Sequence, residues 1–335
     1  MLTFTTTSTH PVSHVVFNPN GTTFVVAQPN FGFTIYDRVS TQPVAVIPVP
    51  KTADYSSVNF YDSGTKLALG SRSGIHLIDV TAGTVIGHKG GYNLALAVLT
   101  ERENELVAAV RTGFCEVRPD PDCAGKLRVS PELAHTRATV TALSPCGRWG
   151  FGVHARERPS LFDLGSWKVV AAVDHAFRNA APLRHPIIPP TVKFAPDGSR
   201  FAVCDGKDVR VYDSPVADET DEDEDESEAK DDPEAEGKFT VAPKPHGVAR
   251  VLFKLLPEGE SNSVWKPPVA FSPDGRGLLI RRPRNRVQFW DVATGCPTAE
   301  WSWRLDSLTC LAVAPDGLIA VAGARFGHVV MWDLE

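Results

Sequence analysis

The stretch that decides the fold is FSPDGRGLLIRRPRNRVQFWD, residues 271–291. It opens with a tight-turn sequence, continues through an apolar run and ends on Trp290-Asp291. A second stretch, VAPDGLIAVAGARFGHVVMWD at 313–333, repeats the pattern. Pro-Asp-Gly suits a tight turn because proline presets one backbone angle and glycine accepts a positive one. Each stretch therefore predicts a strand, a turn, a strand, a short turn and a third strand.

The pattern occurs six times with nearly constant spacing. A turn glycine and a closing acid are 15 or 16 residues apart in Gly21 and Asp37, Gly64 and Asp79, Gly147 and Asp163, Gly198 and Asp213, Gly275 and Asp291, and Gly317 and Asp333. The long interval between residues 64 and 147 leaves room for one degenerate unit, which residues 94–117 fill. A period of about 40 to 45 residues with four short strands is typical of a β-propeller blade. The sequence thus predicts an all-β fold, a seven-bladed β-propeller of four-stranded antiparallel blades.

At this level of detail the chain resembles the WD40-repeat family over nearly its whole length. Trp290-Asp291 and Trp332-Asp333 match the dipeptide that names the family, and Ser-Pro-Asp-Gly at 272–275 matches its usual first turn. Four units carry a histidine 27 or 28 residues before the closing acid: His10, His88, His135 and His185. The resemblance implies that these histidines join hydrogen bonds within each blade. The closing aspartates, at the ends of third strands, are expected to cap turns by accepting backbone hydrogen bonds.

The two ends of the repeat array predict how the ring closes. Residues 1–335 are interpreted as one propeller domain, and its last unit has only three strands. Leu2 to Thr6 alternates apolar and polar residues as a half-buried strand does. We therefore expect this N-terminal strand to pair with the last blade, which would remove edges that could open the ring or template aggregation.

The net charge of −6 combines two different regions. From Asp218 to Glu236, thirteen of nineteen residues are acidic and one is basic, so this segment carries −12 and the remainder of the chain carries +6. A run of this kind repels itself and has too little apolar surface to offset the entropy of ordering. Residues 215–240 are predicted to be a disordered acidic loop inserted in the fifth blade. The loop would serve either solubility or the docking of a basic partner.

Composition and motifs argue against several functional classes. No apolar run approaches the ~18 residues of a membrane-spanning helix, and the first ten residues lack the features of an export signal. The six cysteines form no CxxC pair. We expect a cytoplasmic protein with reduced thiols and no membrane partner. The chain also lacks a phosphate-binding glycine motif, an HExxH sequence and a cluster of metal ligands, so we expect no enzyme activity, no cofactor and no metal site.

The candidate binding residues are cations in the turns between the second and third strands. The resemblance implies that these turns emerge on one face, together with the loops that join blades. The cations are Arg72, Arg111, Arg156, Arg158, Lys207, Arg281, Arg282, Arg284, Arg286 and Arg325, and the neighbouring aromatic anchors are Tyr55, Tyr92 and Trp265. Arginine can grip a carboxylate or phosphate with two parallel hydrogen bonds, and a ring of cations focuses a positive potential.

Three functions fit these residues. The leading interpretation is a non-catalytic protein–protein interaction scaffold that presents the basic, aromatic-dotted face to an acidic peptide or protein partner. The second is binding of nucleic acid or a phosphate ligand through the same arginines, although no nucleic-acid motif supports it. The third is an enzyme with a site in the central channel, which would need converging polar side chains there. The plain alternative is that the cations are ordinary solvated turn residues.

Overall fold

The structure is a computed structural model, and it describes the chain in sixteen stretches. These are residues 1–48, 55–71, 74–90, 98–102, 105–110, 113–123, 125–129, 134–135, 139–153, 159–166, 168–173, 191–204, 209–215, 251–255, 267–305 and 307–335. Within them the secondary structure is almost entirely antiparallel strand, as the alternating apolar residues predict. A unit below means four strands that form one meander.

The first three units follow the N-terminal strand β1 (Leu2–Thr5). Unit 1 contains β2 (His14–Phe17), β3 (Thr23–Gln28), β4 (Gly32–Asp37) and β5 (Pro43–Ile47). Unit 2 contains β6 (Tyr55–Tyr61), β7 (Lys66–Ser71), β8 (Gly74–Asp79) and β9 (Thr84–Gly90). Unit 3 contains β10 (Val98–Arg102), β11 (Glu105–Val110), β12 (Gly113–Pro119) and β13 (Gly125–Val129), with the short β14 (Ala134–His135) beside β12.

The remaining units continue the same meander. Unit 4 contains β15 (Thr139–Leu143), β16 (Trp149–Val153), β17 (Ser160–Asp163) and β18 (Lys168–Ala172). Unit 5 contains β19 (Thr191–Phe194), β20 (Arg200–Cys204), β21 (Val209–Asp213) and β22 (Val251–Leu255). Unit 6 contains β23 (Val269–Phe271), β24 (Gly277–Arg282), β25 (Arg286–Asp291) and β26 (Cys296–Ser302). Unit 7 contains β27 (Leu308–Val313), β28 (Ile319–Ala324) and β29 (His328–Asp333).

The last unit is completed by the beginning of the chain. Strand β1 pairs antiparallel with β29, with Leu2 opposite Met331 and Thr5 opposite His328. Phe4 packs against the apolar cluster between units 7 and 1, where its ring centroid lies 5.1 Å from that of Tyr36. The predicted closure by the N-terminal strand is therefore confirmed.

The units follow one another around a closed ring. Each first strand neighbours the first strand of the next unit, in the cycle β2, β6, β10, β15, β19, β23, β27 and back to β2. Apolar clusters fill the spaces between units: Phe33, Leu67 and Leu69 lie between units 1 and 2, and Leu279, Val330 and Trp332 between units 6 and 7. Burial between the faces of neighbouring sheets is the main favourable term that holds such a ring together.

The number of blades stays a prediction. Five units are separate four-stranded sheets, but units 2 and 3 belong to one nine-stranded sheet because β13 pairs with β9 in parallel, with Gly125 opposite Gly87 and Lys126 opposite His88. The strand pairing alone therefore does not separate those two units. The acidic run Asp218–Glu236 falls in the interval between β21 and β22 and lies outside the described residues.

The ring has two faces, which differ in the turns they carry. The first-turn face carries the turns between first and second strands, whose glycines adopt positive φ angles, 67° at Gly275 and 76° at Gly317. The second-turn face carries the turns between second and third strands and the connections between units. Successive strands of a meander run in opposite directions, so these two sets of turns lie at opposite ends of the strands.

The closing aspartates perform the predicted capping role in several units. Asp37 accepts hydrogen bonds from the backbone N–H groups of Val39 and Ser40, and Asp291 accepts them from the N–H and the hydroxyl of Thr294, both at 2.7 Å. These bonds favour the charged carboxylate and lower the pKa of both side chains. Asp213 instead forms an ion pair with Arg200 at 3.3 Å.

Candidate interaction face

More than half of the predicted site residues lie outside the described residues. These are Arg72, Arg111, Arg156, Arg158, Lys207, Tyr92 and Trp265. The described members are the arginine cluster at 281–286, Arg325 and Tyr55. The geometry of the second-turn face is therefore described below for units 6, 7 and 1.

The four arginines of unit 6 have four different environments. Arg284 is exposed, Arg281 is half-buried and Arg282 is only 3% exposed. Arg286 lies along the outer part of the unit, where its guanidinium approaches Glu300 Oε1 at 3.4 Å. Of the four, Arg284 alone presents its charge fully to solvent.

The structure corrects the expected placement of four site residues. Arg281 and Arg282 end strand β24 and Arg286 begins β25, so none of the three lies in the turn itself. Arg282 lies on the same face of β24 as Ile280, which packs against unit 5, and the neighbouring unit buries it. Tyr55 is the first residue of strand β6 rather than a residue of an inter-unit loop. It is 7% exposed, and its ring centroid lies 4.9 Å from that of Phe33. Neither Arg282 nor Tyr55 is placed to meet a partner at the surface.

The second-turn turns of units 6 and 7 share one backbone geometry. Arg284 and Asn285 have φ angles of 62° and 56°, and Phe326 and Gly327 have 60° and 73°. In each unit these two residues are the last two of a three-residue loop, 283–285 and 325–327, between two paired strands. Left-handed backbone is costly for a bulky residue, by about 1–3 kcal/mol. The surrounding structure nevertheless holds the phenyl ring of Phe326 outward, with 54% of it exposed.

Hydrogen bonds join these turns to the connections between units. The Asn285 side-chain amide donates to the Leu305 carbonyl, and the Arg325 N–H donates to the Ser307 carbonyl at 3.1 Å. The Thr6 N–H donates to the Gly327 carbonyl at 2.9 Å. A Cβ on Gly327 would lie 2.0 Å from the Ser8 carbonyl oxygen, so only glycine allows this close approach. The turns and connections therefore form one supported surface.

This surface carries the arginine patch, defined as Arg284, Arg304, Arg325 and Phe326. All four side chains are exposed. Among the described residues of the second-turn face, in 6–13, 28–32, 281–286, 302–305, 307 and 324–328, there is no acidic residue. Three cations and one apolar ring thus lie together without a carboxylate from the described part of that face. Arg304 and Phe326 were missed from the sequence, although Phe326 occupies the turn position that Arg284 has in unit 6.

His10 and His88, two of the histidines that recur in the repeat, make local contacts. His10 shares a 2.7 Å hydrogen bond between its Nδ1 and the Ser8 hydroxyl, and its ring lies over Phe31. His88 stacks on His76 with ring centroids 4.4 Å apart. His76 is 2% exposed, and burial lowers its pKa to about 4. These contacts lie within or beside single units, as a structural role requires.

The first-turn face has a cavity of about 480 Å³ between units 6 and 7. Its carboxylates already have structural partners: Asp274 accepts a hydrogen bond from Ser272, and Asp316 forms a 2.5 Å ion pair with Arg38 of unit 1. Within the described ranges, no group of three or more His, Cys, Asp or Glu side chains is arranged to hold a metal ion.

The described part of the chain contains no helix of the length and apolarity needed to cross a membrane.

The closed cycle of antiparallel sheets defines the protein as a β-propeller. No family model matches the chain. Its structure is similar to the crystal structure of the β-propeller domain of Cps50 (Swd1) from Myceliophteria thermophila, with a TM-score of 0.70 and 15% sequence identity. The similarity covers 100% of both chains. The predicted propeller architecture is therefore confirmed, and the resemblance inferred from the repeats holds at the level of the fold.

Proposed function

We propose that the protein is a non-catalytic interaction scaffold that binds an acidic peptide or protein through its second-turn face. The observation that carries this proposal is the arginine patch. Its guanidinium groups are exposed, a phenyl ring stands among them, and no carboxylate of the described second-turn residues neutralises them. Arginine and aromatic side chains are the residues that most often dominate binding energy at protein interfaces.

The support under the patch favours a fixed binding surface. The Asn285, Arg325 and Gly327 hydrogen bonds anchor both hairpin turns to neighbouring connections. A surface held in place before binding loses less entropy when a partner docks. The Phe326 ring would meet an apolar side chain of the partner while the arginines meet its carboxylates. The proposed partner is therefore an acidic segment that contains at least one apolar residue.

A charge-reversal experiment tests this proposal. The probe is a fluorescent peptide in which glutamates alternate with leucines, and binding is measured by fluorescence anisotropy. In the triple variant Arg284→Glu, Arg304→Glu and Arg325→Glu, we expect affinity to fall at least ~10-fold, which corresponds to about 1.4 kcal/mol. The matched control is Arg276→Glu, which reverses an exposed arginine on the first-turn face and should leave affinity unchanged.

Two further measurements separate the alternatives. Phe326→Asn keeps a residue that tolerates the left-handed backbone, as Asn30 does at φ 65° in unit 1. It should weaken binding of the glutamate–leucine peptide but not of a peptide in which serine replaces leucine. Duplex DNA in place of the peptide tests the nucleic-acid alternative, which predicts affinity falling steeply with salt. Equal peptide affinity in the wild type and the triple variant would contradict the proposal.

A further inference from the structure

A lysine lies on the inner wall of the ring, away from the arginine patch. Lys193 is the third residue of β19, the first strand of unit 5, and its neighbours Val192 and Phe194 are buried. The Lys193 side chain itself is exposed. Because the first strands form the closed cycle around the axis, a side chain exposed between two buried neighbours on such a strand points into the channel at the axis.

The electrostatic neighbours of Lys193 agree with a side chain that points into the channel. Its charge acts on His14 of β2 and on Cys310 of β27. Strand β19 is adjacent to neither of these strands, since β23 lies between β19 and β27 in the cycle. The three groups can therefore approach one another only through the channel.

The channel wall offers this ammonium no described counterion. Among the described residues, Lys193 has no ion pair. The first strands contain a single acidic residue, Glu101, which is next to Arg102 in β10. Protein surrounds the ammonium, so incomplete hydration lowers the pKa of Lys193, while burial and the lysine charge lower the pKa of His14 to about 3. His14 is therefore neutral at physiological pH and adds no second positive charge.

Other units carry small side chains at the repeat position of Lys193. Lys193 precedes the first turn as Ala270 and Ala312 do in units 6 and 7. A cation with no counterion among the described residues calls for one negative charge, and a carboxylate supplies that with two acceptor oxygens.

We propose that the channel is a carboxylate-binding site in which Lys193 is the charged ligand-binding residue. The carboxylate forms an ion pair with the Lys193 ammonium near His14 and Cys310. It comes either from a free small acid or from an acidic side chain of a bound peptide. The site is distinct from the arginine patch and does not depend on it, because it lies on the axis of the ring and uses strands of units 1, 5 and 7.

Thermal unfolding of the full chain tests the site with glutarate as the free acid and chloride as the reference at matched ionic strength. A ligand that binds only the folded state raises the melting temperature. Glutarate should raise that of the wild type by ~2 °C or more and leave that of Lys193→Met unchanged. Lys168→Met, at an exposed lysine of the outer strand β18, should respond as the wild type does.

The melting temperature of Lys193→Met without a ligand is a second test of the proposal. Because the substitution removes a charge that has no counterion in the described part of the chain, the variant should melt at or above the wild-type temperature in chloride. A lower melting temperature would overturn the proposal, since it would show that Lys193 is already paired within the protein. An equal response of wild type and Lys193→Met to both glutarate and peptide would overturn it as well.

The two sources of the carboxylate are distinguished by calorimetric titration. The second arm uses the glutamate–leucine peptide on the wild type and on Lys193→Met, each in the background of the triple arginine variant so that the patch does not contribute. If glutarate gives binding heat with Lys193 present and none with Lys193→Met, the ligand is a free acid. If only the peptide gives binding heat, and this heat is lost in Lys193→Met, the ligand is an acidic side chain of a partner.

Discussion

The two faces of the ring use their charged side chains in opposite ways. On the first-turn face, Asp37 and Asp291 cap turns, and Arg38 binds Asp316 across the junction of units 1 and 7. On the second-turn face, Arg284 and Arg325 contribute backbone and turn geometry to the fold, while their guanidinium groups are exposed. These first-turn charges bind other groups of the ring, whereas Arg284 and Arg325 form no ion pair with a described residue.

The comparison shows how a repeat protein divides its sequence between folding and binding. The closing aspartate recurs because every unit needs the same turn, so its spacing is regular. The exposed cations follow no such rule: unit 6 has Arg284 at the turn position where unit 7 has Phe326 and unit 1 has Asn30. The units differ at turn positions whose side chains do not cap a turn.

The largest expected effect comes from removing β1, the N-terminal strand that completes unit 7. Deleting residues 1–7 removes the β1–β29 pairing, the packing of Phe4 and the Thr6 contact to Gly327. We expect a loss of several kcal/mol and a melting temperature lower by ~10 °C, in one cooperative transition, together with weaker peptide binding at the arginine patch. Calorimetry and anisotropy measure the two effects. Unchanged melting would contradict the closure.

The second-largest expected effect is on stability at low pH, which should come from the interior and not from the capping carboxylates of the first-turn face. The carboxylates of Asp37 and Asp291 have lowered pKa values, so these two caps keep their charge between pH 7 and 5. The pKa of buried His76 falls from 6.5 unfolded to about 4 folded. Stability from this histidine is complete above pH 6.5 and is lost as the pH falls towards 4, by about 2 kcal/mol at pH 5.

Urea unfolding at pH 7.5 and pH 5 measures this loss. His76→Leu cannot take up the proton, so its stability should change less between the two pH values than that of the wild type. The control is His328→Leu, which alters a histidine beside Thr5 at the surface. If the wild type and His76→Leu lost the same stability on acidification, His76 would not be a source of the pH dependence.

The smallest expected effect compares one arginine from each face. Arg38→Met removes the ion pair with Asp316 and the hydrogen bond to the Gly21 carbonyl, and should cost about 1 kcal/mol. Arg325→Met removes an exposed charge and should leave stability within about 0.5 kcal/mol of the wild type while weakening peptide binding. Urea unfolding of the two variants measures the difference. Equal losses would remove the contrast between the faces.

The sequence predicted the propeller because its information is local and repeated. Each turn glycine with positive φ, such as Gly275, and each capping aspartate, such as Asp291, is required by contacts within a few residues. The pairing of β1 with β29 could also be predicted, since a last unit with three strands requires a fourth.

The site could be predicted only in part because exposure depends on the neighbouring unit. Period-two alternation places Arg281 and Arg282 on opposite faces of β24, but only the structure shows that one of these faces buries its arginine. Tyr55 seemed to belong to a loop because a bulge between Tyr55 and Ser57 hides the start of β6. Lys193, His14 and Cys310 are far apart in sequence, and only ring closure brings them to one axis.

The parallel pairing of β9 with β13 has a consequence for the outer rim. An outer strand with an unpaired edge can accept an extended peptide as an additional strand. In units 2 and 3 the two outer strands cover part of each other's edge, with Leu127 packed so closely against Gly87 that a side chain there would collide. Strand addition at the rim is therefore obstructed where these two units meet, whereas β5, β18 and β26 each end a sheet with an unpaired edge.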